Sequence, residues 1–285
     1  MTRPTSVPSY RDLLDDASQL LYDVTETPRI DAEVLLQHTI SQSMAWLISH
    51  GDTLASAQHI QDFYSAVGER QIGKPIAYIT GTREFWTLSL EVNENVLIPR
   101  PDTETLVEQA LQQIPTNSDR QLLDLGTGSG AIALALAKER PNCEVYAIDS
   151  QAGALQVARA NATRNSINNV HFLQSNWFEG LDKTLKFDLI ASNPPYVELG
   201  DPHLSQGDLR FEPDSALIAG SQGLSDLELI IRTSPAYLSP EGCLIVEHGF
   251  TQKSAVADIF EQTGYSAISC FYDINNLPRC TIGKI

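Results

Sequence analysis

Basic residues are scarce in this 285-residue chain. Lys and Arg number 19 against 36 Asp and Glu, a formal net charge of −17. A protein that grips a duplex through its phosphates needs a broad basic face. The summed field here repels polyanions, so direct nucleic-acid binding is not expected. Long apolar runs are lacking too. No stretch approaches the roughly 18 residues of a membrane-spanning helix. The opening MTRPTSVPSYRD has no apolar core of the kind a secretory signal carries. A cytoplasmic protein without membrane contact is expected. The four cysteines, Cys143, Cys243, Cys270 and Cys280, include no CxxC pair, and the six histidines show no ligand spacing. Free, largely buried thiols and no metal site are expected, with His248 structural. No internal repeat or low-complexity segment stands out. At about 150 residues per domain, the length fits one large domain or two moderate ones. It is long enough to bury a core without disulfide or metal staples.

What is present changes character along the chain. Residues 1–75 read as a small helical bundle: Leu13, Leu14, Leu20, Leu21 and Val24 fall at helical spacing, as do Ile30, Val34, Leu35 and Ile40, then Ile60, Phe63, Tyr64 and Val67. Thr27-Pro28 and Gly51-Asp52 break the pattern. Residues 76–105 read as a β-hairpin linker. Phe85, Thr87, Ser89 and Glu91 alternate with Trp86, Leu88, Leu90 and Val92, Asn93-Glu94-Asn95 is turn-like, and Val96-Leu97-Ile98 reads as the returning strand. Trp86 is expected in a core. Asp102 is suited to cap the helix that follows, with Glu104 near its positive end. Residues 106–285 alternate strand and helix. The predicted strands are 122–126, 144–149, 170–174, 187–192, 243–249, 266–272 and 278–284, and the predicted helices are 131–140, 151–165, 227–238 and 252–262. That alternation implies an α/β domain with a mainly parallel sheet covered by helices.

Asp124-Leu125-Gly126-Thr127-Gly128-Ser129-Gly130 joins the first of these strands to its helix, and Asp149 ends the second. Glycines there allow a tight turn and a close backbone approach to a ligand; a carboxylate at the second strand end can accept both hydroxyls of a ribose. An adenosine-containing cofactor is expected. The loop also meets the loose dinucleotide pattern, with Ala131 at its last position. Two features favour S-adenosylmethionine: a carboxylate at the loop entrance suits an ammonium group, and the next motif makes little sense for hydride transfer.

That motif is Asn193-Pro194-Pro195-Tyr196, directly after the strand FDLIAS. A primary amide or aromatic amine is a poor nucleophile, and its two N–H groups lie in the plane of the group. The side-chain oxygen of Asn193 can accept one, and the carbonyl of Pro194 the other. Acceptors fixed beforehand stabilise the positive charge that grows on nitrogen as it attacks a methyl group. Pro194 biases Asn193 to an extended backbone, both rings lock their φ angles, and Pro195 brings no N–H to compete for the carbonyl. Tyr196 can pack its ring on the planar group. As plain loop punctuation the same string would mark only a turn.

Taken together, REFWTLSLEVNENVLIPRPDTE (83–104), DLGTGSG (124–130), QSNWF (174–178), NPPY (193–196) and RFEP (210–213) resemble the protein-(glutamine-N5) methyltransferases of peptide chain release factors, over nearly the whole chain. The resemblance implies a Rossmann-like, seven-stranded S-adenosylmethionine-dependent methyltransferase domain with the last strand antiparallel. It also implies a small N-terminal helical domain that engages the release factor. It implies methyl transfer to the glutamine of a Gly-Gly-Gln motif in class 1 release factors, which modulates translation termination, by a monomeric enzyme needing no metal and leaving S-adenosylhomocysteine. Asp124, Leu125, Gly126, Thr127 and Gly128 would line the methionine portion of the cofactor, Asp149 would hold the ribose and Trp177 would pack near adenine. Asn193, Pro194, Pro195 and Tyr196 would hold the glutamine, with Asn193 also near the cofactor. Asn176 departs from the Asp of many relatives and implies an altered adenine contact. Arg100, Glu104, Arg210 and Glu212 are supporting candidates, with capping or surface ion pairing as the alternative. NPPY is shared with amino methyltransferases of nucleic acids (adenine N6 or guanine N2), the alternative the charge balance disfavours. A non-catalytic cofactor-binding adaptor and a nicotinamide oxidoreductase rank below it.

Overall fold

The computed structural model describes residues 7–202 and 207–285. They divide into two compact units, one comprising the chain through Gly81 with a short segment ending at Phe211, the other the remainder from Thr82 on.

The first unit is helical. It contains α1 (Tyr10–Leu20), α2 (Pro28–Ile40), α3 (Met44–His50), α4 (Ala57–Gln71) and α5 (Ile76–Thr80). Serines start three of them. Ser9 Oγ accepts from the Asp12 amide at 3.2 Å while Asp12 accepts from the Ser9 amide at 2.8 Å, a closed capping box. Ser43 and Ser56 cap α3 and α4. Pro28 opens α2, where its missing N–H has no helical partner to lose. Leu13, Leu21, Leu35, Leu36 and Phe63 fill the core. Arg70 is buried with them and is held by Asp31 at 2.8 Å and Asp208 at 2.9 Å.

The second unit opens with β1 (Thr82–Phe85) and β2 (Leu88–Glu91), a hairpin placed differently from the predicted one. Its turn is Trp86-Thr87, not Asn93-Glu94-Asn95, and residues 96–98 form no strand. Trp86 takes φ 56°, a left-handed conformation that a large aromatic rarely signals. Long-range bonds hold it there: its amide donates to Glu104 at 2.8 Å and its indole N–H to Glu139 at 2.9 Å. Its ring packs against the core, as expected.

Next come α6 (Thr103–Gln113), β3 (Gln121–Leu125), α7 (Ala131–Glu139), β4 (Glu144–Asp149), α8 (Ala152–Arg164), β5 (Val170–Gln174) and β6 (Phe187–Ser192). The short strands β7 (Val197–Glu198) and β8 (Ile218–Ala219) pair in parallel, with the single turns α9 (Asp214–Leu217) and α10 (Gly220–Gly223) beside them in sequence. Then follow α11 (Ser225–Thr233), β9 (Leu238–Glu247), α12 (Lys253–Thr263), β10 (Ser266–Tyr272) and β11 (Pro278–Lys284). The predicted helix 227–238 ends early, and β9 begins before the predicted Cys243.

Seven strands form one sheet in the order β10-β11-β9-β6-β3-β4-β5. β5, β4, β3, β6 and β9 run parallel, and β11 is antiparallel to both β9 and β10. The strands look uniformly apolar because both faces are covered. Leu122, Leu189, Ala191 and Ile245 face a core with α6 and α7; Leu123, Ile190, Leu244 and Val246 face a second with α11 and α12. The three cysteines Cys143, Cys243 and Cys280 are buried free thiols, and Cys270 is half-buried and free.

One buried side chain ties the hairpin to the site. Asn161 on α8 is fully buried; its Oδ1 accepts from the Glu91 amide at 2.6 Å, and its Nδ2 donates to the carbonyls of Glu91 and Ser129, each at 2.9 Å. Asn161→Ala strands these backbone groups. It is expected to lower the unfolding free energy by about 3 kcal/mol and to strip hydrogen-exchange protection from the Glu91 amide. Unchanged protection there would contradict this role.

Candidate active site

The carboxyl ends of β3, β4, β5 and β6 open onto a cavity of about 250 Å³ within the second unit. Its walls come from Asn95 to Thr103, the glycine loop, Asp149 to Gln151, Ser175 to Trp177, Asn193 and Pro195, and the stretch from Ser215 to Ile218 with Asp226. Of the residues singled out from sequence, Gly126, Thr127, Gly128, Asp149, Trp177, Asn193 and Pro195 line it. Asp124, Leu125, Pro194 and Tyr196 are not lining residues.

Asp124 is fully buried beneath the loop. Its Oδ2 accepts from Thr127 Oγ1 at 2.7 Å and from the Ala133 amide at 3.1 Å, so the carboxylate fixes both the loop and the start of α7. Its Oδ1 has no hydrogen-bond partner among the described residues. Burial pushes the Asp124 carboxyl up to about 7, against the pull of Thr127 and the Ala133 amide. Asp149 is also raised, chiefly by burial. Its Oδ2 accepts from the Gly128 amide and its Oδ1 from the Gln151 amide, both at 2.9 Å. Each oxygen keeps a lone pair for a hydroxyl.

The loop's glycines answer to different demands. All three take positive φ: 74° at Gly126, 55° at Gly128 and 86° at Gly130. A Cβ on Gly126 would sit 3.3 Å from the Trp177 ring, and one on Gly130 would press on Leu134 at 3.0 Å. A Cβ on Gly128 would meet nothing within 4 Å and would project where the cavity is lined by its own backbone. That cradle and the acceptors of Asp149 fit a ligand with a ribose. Trp177, itself at φ 48°, closes the side above Gly126, and Asp226 lines the cavity with it. Asn176 lines the cavity and donates to Glu179 at 3.1 Å.

At the end of β6, Asn193 Nδ2 donates to Thr103 Oγ1 at 3.2 Å and Tyr196 Oη donates to Glu247 Oε1 at 3.1 Å. Neither Thr103 nor Glu247 was singled out from sequence. A Thr at a helix start and a Glu at a strand end are ordinary residues there, so local pattern offers no signal; only their long-range partners do. Asp102 does not cap α6 as expected. Its carboxylate pairs with Arg279 at 3.0 Å, and Arg279 also holds Asp273 at 2.8 Å. Among the supporting candidates, Glu212 is buried and accepts from the Ile98 amide at 3.2 Å and from Arg100, so it holds the segment that walls the cavity. Glu104 serves the Trp86 turn. Arg210 lies in the first unit and donates to the Ile72 carbonyl at 2.7 Å. His248 is buried and bonded to Thr281 at 2.9 Å, a structural role.

Two mutations test the loop. Gly128→Ala adds about 1–2 kcal/mol of left-handed backbone strain and a methyl in the cradle. Its cofactor affinity, read by calorimetry, should fall far more than its melting temperature. Asp124 holds its proton in the folded chain at pH values where the unfolded chain has lost it. Its contribution to stability is therefore greatest in acid and declines as pH rises from near 4 to about 7. Urea unfolding of Asp124→Asn against the parent should show the variant gaining relative stability over that interval; a gap that moves the other way would refute the assignment.

Residues 116–274 match a family model described as a methyltransferase domain, and residues 12–81 match one described as the PrmC N-terminal domain. The release factor glutamine methyltransferase of Xylella fastidiosa (strain Temecula1) is 48% identical over 90% of this chain and 93% of its own length. That of Escherichia coli (strain K12) is 44% identical over 96% and 98%. Among solved structures, a methyltransferase from Pyrococcus furiosus shares the fold, with a TM-score of 0.53 and 19% identity over 76% of this chain and 96% of that one. A T. thermophilus 16S rRNA methyltransferase in complex with AdoMet and guanosine does so with a TM-score of 0.54 and 18% identity over 71% and 49%. The seven-stranded sheet with its glycine loop is a Rossmann-like methyltransferase fold, and with relatives this similar over nearly its full length the chain belongs to the release factor glutamine methyltransferase family.

Proposed function

We propose that this chain transfers a methyl group from S-adenosylmethionine to the side-chain amide nitrogen of the glutamine in the Gly-Gly-Gln motif of class 1 peptide chain release factors. The observation that carries this reading is that Asn193 and Pro195 line the same cavity as Gly128 and Asp149, so an amide-binding tetrapeptide and a nucleoside-binding loop share one space. The helical first unit is the part proposed to engage the release factor, in the cytoplasm, by a single chain without metal.

S-adenosylmethionine supplies an electrophilic methyl group on a sulfonium. Asp149 would hold the ribose hydroxyls, the Gly126–Gly128 backbone the methionine portion and Trp177 the adenine side. The amide nitrogen of the substrate glutamine needs no base ahead of attack. Asn193 Oδ1 and the Pro194 carbonyl would each accept one of its N–H groups. That fixes the plane of the amide and offsets the positive charge growing on nitrogen. The walls keep the two reactants close and dry. The proton leaves once the nitrogen is alkylated.

Removing one such preorganised acceptor costs on the order of 10²–10³ in turnover. Asn193→Ala should therefore lose kcat by that factor with cofactor affinity within about twofold of the parent. With labelled S-adenosylmethionine, label should appear on a release factor and vanish when its motif Gln is changed to Ala. Label on an RNA or DNA pool alone would end this reading.

A further inference from the structure

Asn193 is useful only if its oxygen, not its nitrogen, faces the substrate amide, because both substrate N–H groups need acceptors. An Asn side chain can turn over at little cost unless a neighbour discriminates its two ends. Register puts such neighbours beside it. In the parallel pairing of β6 with β9, Ser192 lies opposite Val246, so Asn193 and Glu247 leave adjacent strand ends together. Thr103, the first residue of α6, is buried there. It accepts from Asn193 Nδ2 at 3.2 Å. Glu247, also buried, takes the Tyr196 phenol on Oε1 at 3.1 Å.

We propose that Thr103 and Glu247 are positioning residues: Thr103 takes the nitrogen end of Asn193 and so turns its oxygen to the substrate, and Glu247 orients the Thr103 hydroxyl and anchors Tyr196. A threonine hydroxyl has one proton. While it accepts from Asn193, that proton is drawn toward the Glu247 carboxylate, which when ionised can accept but cannot donate. Glu247 Oε2 is buried with no hydrogen-bond partner among the described residues, so it keeps its lone pairs for that proton. A neutral Glu247 carries its own proton and no longer forces this direction.

Burial pushes Glu247 up to about 7, while Thr103, Arg279 and Tyr196 pull it down and Asp102 pushes it further up. Cys280 faces it from β11 and Arg100 stands near Tyr196. The kcat profile should therefore carry an acid limb, with activity rising as pH increases through the Glu247 titration.

The inference rests on the glutamine reading above, and the test separates the two. With a release factor as acceptor, Thr103→Val should lower kcat about 10–100-fold with cofactor affinity unchanged, and Thr103→Ser should restore most of it. Glu247→Gln should lower kcat and remove the acid limb. If the parent does not methylate the release factor, the glutamine reading fails. If the parent does and Thr103→Val keeps its kcat, or Val and Ser variants lose kcat equally, the positioning role is wrong. A Glu247→Gln variant that melts early leaves the Thr103 pair to decide.

Discussion

Strand β6 runs between β3 and β9, parallel to both, and most of the site's chemistry depends on that placement. Parallel neighbours bring their carboxyl ends to one edge of the sheet. On one side of β6 this places the glycine loop after β3; on the other it places Glu247 at the end of β9. Asn193, one residue past β6, thus has a cofactor-type loop to one side and a buried carboxylate to the other. Ser192 locks the arrangement by donating its hydroxyl to the Leu125 carbonyl at 2.8 Å. A slip by one residue would exchange the two faces of the strand and take Asn193 out of the cavity.

Two carboxylates, Asp124 and Glu247, are fully buried at this edge, and each leaves one oxygen without a hydrogen-bond partner among the described residues. Burying them costs stability, since desolvation raises both carboxyls to about 7. Apolar side chains would pack there at less cost. Their positions give these polar groups a use: Asp124 fixes the loop proposed to hold one reactant, and Glu247 stands behind the tetrapeptide proposed to hold the other. Strain lies in the same place, with Trp177 held in the left-handed region at φ 48°.

The strand-helix alternation, the glycine loop and Asn193 were legible in the sequence because each is a local pattern. Apolar runs such as FDLIAS announce strands covered on both faces, and positive-φ glycines announce themselves. What was illegible depends on partners far along the chain. The Trp86-Thr87 turn exists because Glu104 and Glu139 hold Trp86, against its own preference. Thr103 reads as an ordinary first residue of a helix until Asn193, ninety positions on, donates to it. Asp102 has the right chemistry for a cap, and local pattern assigns it one; Arg279 outbids the helix amides for its carboxylate because a charged pair is stronger than a neutral donor.

The Asn-Pro-Pro-Tyr device suits a base amine as well as a glutamine amide, so chemistry alone does not select the partner. Electrostatics bears on the choice. Several of the chain's few cations are engaged with its own carboxylates: Arg70 with Asp31 and Asp208, Arg29 with Asp15 and Glu33, Arg100 with Glu212, Arg120 with Asp188, and Arg279 with Asp102 and Asp273. A cation already paired contributes little to releasing counterions from a phosphate backbone, which is what gives nucleic-acid binding its strength. With a net charge of −17, a field of this sign favours a neutral or basic protein surface as partner. The site then needs only one flexible, uncharged side chain to enter, and a glutamine on an exposed loop meets that requirement where a base held in a polyanion does not.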